Sequence, residues 1–549
     1  MTRTPRTSAG IAVVSCLFVA FVQAQPQSAA ESEPGIPVTD PLVIAKCGSC
    51  HPSNTTKNMQ HLSWSRTTPE GWQDVLKEQI LLDRVSVSPA EARSIVKYLS
   101  ESHGLAPEEA KSVVYDAERR VHEETLIPNE NLRENCSKCH VFARALSWRR
   151  SAEEWKQFAS THAERYKVRS VAEAVTYLAK AAPLRTDSWS SWSSRQGDTN
   201  LAGRWLASAY VPGRGAYYGE MQIDRNGEDY DTRVTLTSVR DGSQVVRTGR
   251  ATLFGGSAWR GRSRGAASAS TPDDLSSEAR EVLLLASDQS AAEGRWFWGQ
   301  YQEFGFDVKL QRSSSGPTLL GVDRAALKTG SQTNRLHLIG ANFPAQVVAT
   351  DLDFGPGLTV RRVVSSSSTE VVAELDVASD ALLGRRDVTL HRSSLTGAIA
   401  IYDRIDYIQV EPDSAMAAFG DRAHPRGYQQ FEAIGYQRGA DGKPHTVDDV
   451  PLGPVDVTWA HEIFHAGEQG RSETIGSMSS SGLFTPSTTN PGVNFDVYVI
   501  ATAKNEKDQK GEPLVGKSYM VVTVPTYTFN GRQYVRELDR WVDDGPAHK

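Results

Sequence analysis

Cys47-Gly48-Ser49-Cys50-His51 and Cys136-Ser137-Lys138-Cys139-His140 are the two stretches from which the rest of this chain is read. Two cysteines three apart, with a histidine directly after the second, form the spacing that covalent c-type haem attachment requires. The thiols close thioether bonds to the vinyl groups, and the histidine supplies the proximal nitrogen to iron. The chain of 549 residues has five cysteines, and the fifth, Cys16, lies in an apolar N-terminal stretch. Once that stretch is removed, every cysteine belongs to a CxxCH pair. Two redox disulfides would need a βαβ setting that neither pair has. A four-cysteine zinc site would leave both adjacent histidines without a role. Two haem c groups are expected, one on Cys47, Cys50 and His51 and one on Cys136, Cys139 and His140.

The N-terminus reads as a signal peptide over 1–24. Arg3 and Arg6 form its positive region, Ile11 to Val22 its apolar stretch, and Val22-Gln23-Ala24 a small-residue cleavage site. Its twelve or so apolar-rich residues are short for a bilayer span, and no later stretch is longer. The mature chain is expected to be exported, to the periplasm, without a stable membrane span. Its length calls for several domains. A hydrophobic content of 39%, a charged content of 23% and a net charge of -6 describe globular domains, not a nucleic-acid binder.

Residues 41–185 read as helical. Thr68-Pro69-Glu70 and Ser88-Pro89-Ala90-Glu91 are helix starts with proline at the first helical position, the second a full capping box. Ser151-Ala152-Glu153-Glu154 is another. The segment repeats internally. Each CxxCH is followed by Leu-Ser-Trp (62–64 and 146–148), then an arginine, then a capped helix with a tryptophan four residues past its cap, Trp72 or Trp155. A duplicated cytochrome c-like unit follows, joined through a solvated segment at 101–135. A Ser- and Trp-rich linker is expected at 187–198. Short alternating runs over 199–312 imply an antiparallel β-barrel with an exposed loop at 262–280. The regions 317–398 and 400–547 read as immunoglobulin-like β-sandwiches. The fold class is thus multidomain: an all-α dihaem domain, then a barrel and two sandwiches.

The sixth position at each iron decides what that iron does. His162 lies seven residues after Trp155, two turns along and on the same helix face, and is the candidate for the second haem. Its bland reading is a surface histidine. The matching residue in the first half is Gln79, a poor iron ligand. Met59, the one methionine of the mature helical segment, and His61 are candidates for the first haem. His103 and His122 are more distant options, and an open iron is a further one. Two other motifs carry less weight. His461-Glu462-Ile463-Phe464-His465 matches HExxH, with Glu468 as a possible third ligand, but it sits among strands, so a short helix or loop without zinc is expected. Gly261-Arg262-Ser263-Arg264-Gly265 matches a nucleophile elbow but lacks the strand-to-helix setting. No catalytic residue is assigned.

Taken together, the two CxxCH motifs, Thr68-Pro69-Glu70-Gly71-Trp72, Glu154-Trp155-Lys156, Pro212-Gly213-Arg214-Gly215, Gly227-Glu228-Asp229-Tyr230, Tyr402-Asp403-Arg404 and Gly482-Leu483-Phe484-Thr485-Pro486 resemble the alpha subunit of the quinohemoprotein amine dehydrogenase family. The resemblance covers nearly the whole mature chain. It implies a dihaem cytochrome domain followed by one barrel and two immunoglobulin-like domains. It implies assembly with a propeller beta subunit and a small gamma subunit carrying cysteine tryptophylquinone. The alpha subunit would take electrons from that quinone and pass them to a soluble periplasmic cytochrome or copper protein. The family position matching His162 is a histidine, and that matching Gln79 is a methionine, so this chain departs there. The alternative reading is a stand-alone dihaem electron-transfer protein whose β domains dock to other proteins.

Overall fold

The computed structural model describes residues 33–525, apart from 83, 114–126, 128–129, 137–140, 167–170, 195–198, 270, 300–302, 423 and 465–471, together with strands at 532–535 and 540–543. The N-terminal part is helical: α1 (Pro41–Cys47), α2 (Pro69–Leu82), α3 (Pro89–Ser102), α4 (Pro107–Lys111), α5 (Glu130–Cys136), α6 (Phe142–Leu146), α7 (Ala152–Tyr166), α8 (Ala172–Ala181) and α9 (Asp187–Ser193). The starts are those the caps dictate. Asp40 accepts from the Val43 amide at 2.9 Å. Ser88 and Glu91 close a reciprocal box at 2.7 and 3.2 Å. Thr68 and Ser151 each accept an amide hydrogen bond three residues on, both at 3.2 Å.

Two three-residue strands, β1 (Ser65–Thr67) and β2 (Trp148–Arg150), pair antiparallel, with Ser65 opposite Arg150 and Arg66 opposite Arg149. Each lies directly at its Leu-Ser-Trp. The sequence duplication is therefore expressed as a twofold: each half contributes the same short strand, and the two strands join the halves.

Two parts of this region differ from the sequence expectation. The 101–135 connector is not simply a solvated segment. Leu105, Ala106, Ala110 and Val113 are buried, and Glu109 is buried against Arg66 at 2.8 Å. The expected linker at 187–198 is helical over α9, because Thr186 caps it by accepting from the Trp189 amide at 3.0 Å, and Trp189 lies 4.6 Å beneath the Arg66 guanidinium.

The next part is a closed eight-stranded barrel: β3 (Gly203–Val211), β4 (Gly215–Asn226), β5 (Asp229–Ser238), β6 (Gln244–Phe254), β7 (Ala258–Gly265), β8 (Ala279–Leu285), β9 (Ala291–Trp298) and β10 (Gly305–Arg312), with β10 pairing back onto β3. Alternation builds it: Tyr230, Thr232, Val234, Leu236 and Ser238 are the buried residues of β5. Trp205, Trp259, Trp296 and Phe306 fill the interior, as a barrel of this size requires. The expected loop at 262–280 is shorter than its sequence suggests. Residues 262–265 complete β7 and 279–280 open β8. Ser263 of the Gly-x-Ser-x-Gly match is buried in the barrel, where its hydroxyl accepts from Arg247 Nε at 3.2 Å. Its polarity is spent on a buried ion cluster with Glu281.

Beyond the barrel, two four-stranded sheets enclose one core that includes Leu336, Leu338, Val371, Leu375, Val388, Ile399 and Ile401. A further four-stranded sheet and two three-stranded sheets pack around Val410, Phe419, Phe431, Val497, Val499 and Met520. In this last region Val457–Ile463 is a strand, with His461 opposite Val499 and Glu462 opposite Tyr498. The first half of HExxH is thus neither helix nor loop. Neighbouring strand residues point to opposite faces, whereas the zinc motif needs a helix to gather its groups on one face. His465 and Glu468 lie outside the described residues. No helix among the described residues is long and apolar enough to cross a membrane.

Candidate haem sites

The first CxxCH continues the turn of α1. The amides of Cys50 and His51 both donate to the Cys47 carbonyl, at 3.2 and 2.9 Å. Positions i, i+3 and i+4 of a helical turn share a face, so the turn gathers Cys47, Cys50 and His51 on one side. Cys47 and Cys50 form no disulfide. Burial, then the neighbouring Cys50, holds the Cys47 thiol above its ordinary range. His51 Nδ1 lies 3.1 Å from the Gln60 carbonyl oxygen. A carbonyl only accepts, so Nδ1 carries the hydrogen and Nε2 carries the lone pair. Orienting a ligand histidine through its other nitrogen is what an iron site needs. The donor set, the turn and the fixed tautomer all fit a covalently held haem.

In the second half, α5 ends on Cys136, while Cys139 and His140 lie outside the described residues. The surroundings repeat those of the first half. Cys47 packs on a core that includes Val43, Met59, Trp72 and Leu76. Cys136 packs on one that includes Leu132, Phe142, Trp155 and Leu178. The two tryptophans are anchored alike. Trp72 Nε1 donates to the His103 carbonyl at 3.1 Å, and Trp155 Nε1 donates to the Ala182 carbonyl at 2.8 Å. Those carbonyls belong to the C-cap residues of α3 and α8. The Thr67 and Arg150 amides donate to the same two oxygens. Each indole thus clamps its helix to the following one and to the central strand pair.

His162 stands on α7 between Phe158 and Tyr166, with ring centroids 5.5 and 4.7 Å away. Burial, then Arg165, holds its imidazole below the ordinary range. Both causes favour the neutral imidazole, the form that ligates iron. The first-half candidates are placed differently. Met59 is fully buried in the helical core, its amide bonded to Ser63 Oγ at 2.8 Å. His61 Nδ1 lies 3.0 Å from Glu154 Oε1 of the other half, and its ring meets that of His51 edge to face at 5.8 Å. His103 is wholly buried, with Nδ1 2.7 Å from Ser102 Oγ and Nε2 3.3 Å from the Ile36 carbonyl. Both ring nitrogens of His103, the more distant candidate, are thus engaged within the protein. His122 lies outside the described residues.

Several residues of this region were missed by motif reading. Arg150 is buried across the seam. It donates to Ser65 Oγ at 2.7 Å, covers the Trp148 ring at 4.2 Å and Phe158 at 4.5 Å, and lies 3.7 Å from Glu154. Burial drops it to about 10 despite that carboxylate. Arg66 is buried on the other side, in a two-pronged pair with Glu109 at 2.8 and 2.9 Å. The arginine after each Leu-Ser-Trp was a visible signal, but nothing local announces Glu109 or the bridging use of Glu154.

Models of the quinohemoprotein amine dehydrogenase alpha subunit match in chain order: its haem-binding domain over 38–176, domain II over 198–313, domain III over 316–403 and domain IV over 408–533. A comparison with curated proteins finds no match. Among solved structures, the chain is similar to a redesigned β-barrel (TM-score 0.17, 17% identity, 21% of this chain and 92% of that one). It is also similar to human protocadherin-24 EC1-2 (0.15, 12%, 38% and 99%) and to the N-terminal Ig1-2 module of a Drosophila receptor protein tyrosine phosphatase (0.13, 8%, 38% and 100%). Helical haem-binding domain, barrel and sandwiches define a haem-bearing electron-transfer subunit. The chain belongs to the quinohemoprotein amine dehydrogenase alpha-subunit family. It is the electron-transfer subunit of a multisubunit amine dehydrogenase complex.

Proposed function

We propose that the mature chain carries two covalent haem c groups, one on Cys47 and Cys50 with His51 as axial ligand, the other on Cys136 and Cys139 with His140. His162 is the proposed sixth ligand of the second. When bound, a haem c supplies a one-electron ferric–ferrous couple. The chain's own part is to fix each ring, exclude water from one face and hold the two units at a set spacing. The observation that carries this reading is the internal twofold: both first cysteines pack on a core built around an identically anchored tryptophan.

On this reading the chain is exported to the periplasm after removal of 1–24, and residues 41–185 form the dihaem domain. Barrel 199–312 and domains 317–398 and 400–547 complete the subunit. It receives electrons from cysteine tryptophylquinone on a small gamma subunit, beside a propeller beta subunit, and delivers them to a soluble cytochrome or copper protein. Met59 and His61 are the sequence candidates for the first iron's sixth position; Met59 is buried in the core that Cys47 packs on, and His61 Nδ1 lies 3.0 Å from Glu154. Purification from the native host tests the assembly. Co-purification of a small quinone-bearing subunit and a propeller subunit is expected. A chain that runs alone and still carries both haems would favour the stand-alone electron carrier.

A further inference from the structure

We propose that the iron ligated by His51 keeps its sixth position open to an exogenous diatomic gas, with the Gln79 side-chain amide placed to hydrogen-bond the bound gas. The proposal rests on the dihaem reading above, and three observations on the described residues carry it.

The first is the twofold. α2 and α7 are equivalent, because Trp72 and Trp155 make the same clamp to the end of the following helix. On α2, Trp72 and Leu76 are buried and Gln79 follows seven residues after Trp72; on α7, Trp155 and Ala159 are buried and His162 follows at the same spacing. Gln79, half-buried, therefore stands where the other half has its imidazole. A carboxamide nitrogen has its lone pair delocalised and its oxygen is a weak donor to iron. The same amide is a good N–H donor to a small ligand on that iron.

The second concerns Met59 and His61. Both are chain neighbours of Gln60, whose carbonyl takes the hydrogen of His51 Nδ1 at 3.1 Å. The hydrogen on Nδ1 points away from the metal that Nε2 binds, so Gln60 and its neighbours belong to the proximal side of the ring. The sixth ligand must come from the other side. Met59 is a fully buried core residue, and His61 Nδ1 is held by Glu154 at 3.0 Å. The third is His103, wholly buried with both ring nitrogens engaged. Met59 and His61 thus lie on the proximal side with Gln60, and His103 has both nitrogens engaged.

The experiment is carbon monoxide titration of the dithionite-reduced holoprotein, after haem per chain has been counted. With two haems per chain, one carbon monoxide per chain is expected. Gln79→Met should abolish binding and give a thioether-to-ferric-iron charge-transfer band. Gln79→Leu should keep the stoichiometry but release carbon monoxide about fivefold faster, the loss of roughly one net hydrogen bond. Met59→Leu and His61→Ala should leave stoichiometry at one. Two haems that both ignore carbon monoxide would overturn the proposal. So would binding that survives Gln79→Met, or a second binding event appearing in Met59→Leu or His61→Ala. Fewer than two haems per chain would instead overturn the dihaem reading on which the proposal rests.

Discussion

His61 and Glu154 meet at 3.0 Å although 93 residues separate them. The contact ties the loop after the first CxxCH to α7, the helix that carries His162. The same Glu154 Oε1 lies 3.7 Å from Arg150, in the strand pair that joins the halves. The Glu154 hydrogen bond is also the main cause holding the His61 imidazole above its ordinary range. Each half thus positions a part of the other.

His61→Ala should cost about 1.5–3 kcal/mol, the worth of one hydrogen bond to a charged group. Both haem spectra should stay unchanged. Urea unfolding and absorption spectra of the same sample check this. A spectral change at either iron would make His61 a ligand instead.

His162→Ala should convert the second haem from low-spin to high-spin and open it to exogenous ligands, as the proposed role of His162 at its sixth position requires. EPR of the ferric protein is the measurement. An unaltered low-spin signal would remove His162 from the iron.

Glu109→Ala should be among the most damaging changes in the helical part, about 3–5 kcal/mol, because it leaves the buried Arg66 charge without its partner. Glu109→Gln, which keeps the hydrogen-bond acceptor, should cost less. Denaturant midpoints of the two variants against the parent decide it.

Burial holds His103 down to about 4. The unfolded chain binds a proton near 6.5 and the folded chain does not until about 4, so acid favours unfolding between those values. The stabilisation is complete above 6.5 and is lost as pH falls to about 4, about 3 kcal/mol in all. Below 4 this residue adds no further slope. His103→Gln should flatten that part of the stability–pH curve, measured by urea unfolding from pH 7 to pH 4.

The helical half was legible where chemistry is local. Caps at Asp40, Thr68, Ser88 and Ser151 and the repeated Leu-Ser-Trp marked the elements, and the strand runs after 199 marked the β domains. What escaped was what depends on partners distant in the chain. The 101–135 connector reads as charged and solvated, yet Glu109 goes inside because Arg66 is there to meet it. Ser- and Trp-rich 187–193 reads as linker, yet Thr186 and the Arg66 stack make it a helix. Arg262 and Ser263 look like polar loop until β6 and β8 place them in the barrel wall. His461 sits in a zinc-like string, and only its pairing with Val499 identifies the strand. At the proposed haem sites, spacing names the attachment residues and the helix period names His162. The partners of Met59, His61 and His103 needed the fold.

The central claim is that this subunit carries two covalently bound haems on its two CxxCH motifs. Haem per chain, counted by pyridine haemochrome on the denatured, acid-acetone-extracted mature protein, tests it most directly. Two haems that remain with the polypeptide are expected, both lost only when Cys47 and Cys50 and Cys136 and Cys139 are all replaced by alanine. One haem or none, or haem that extracts freely into the solvent, would contradict it.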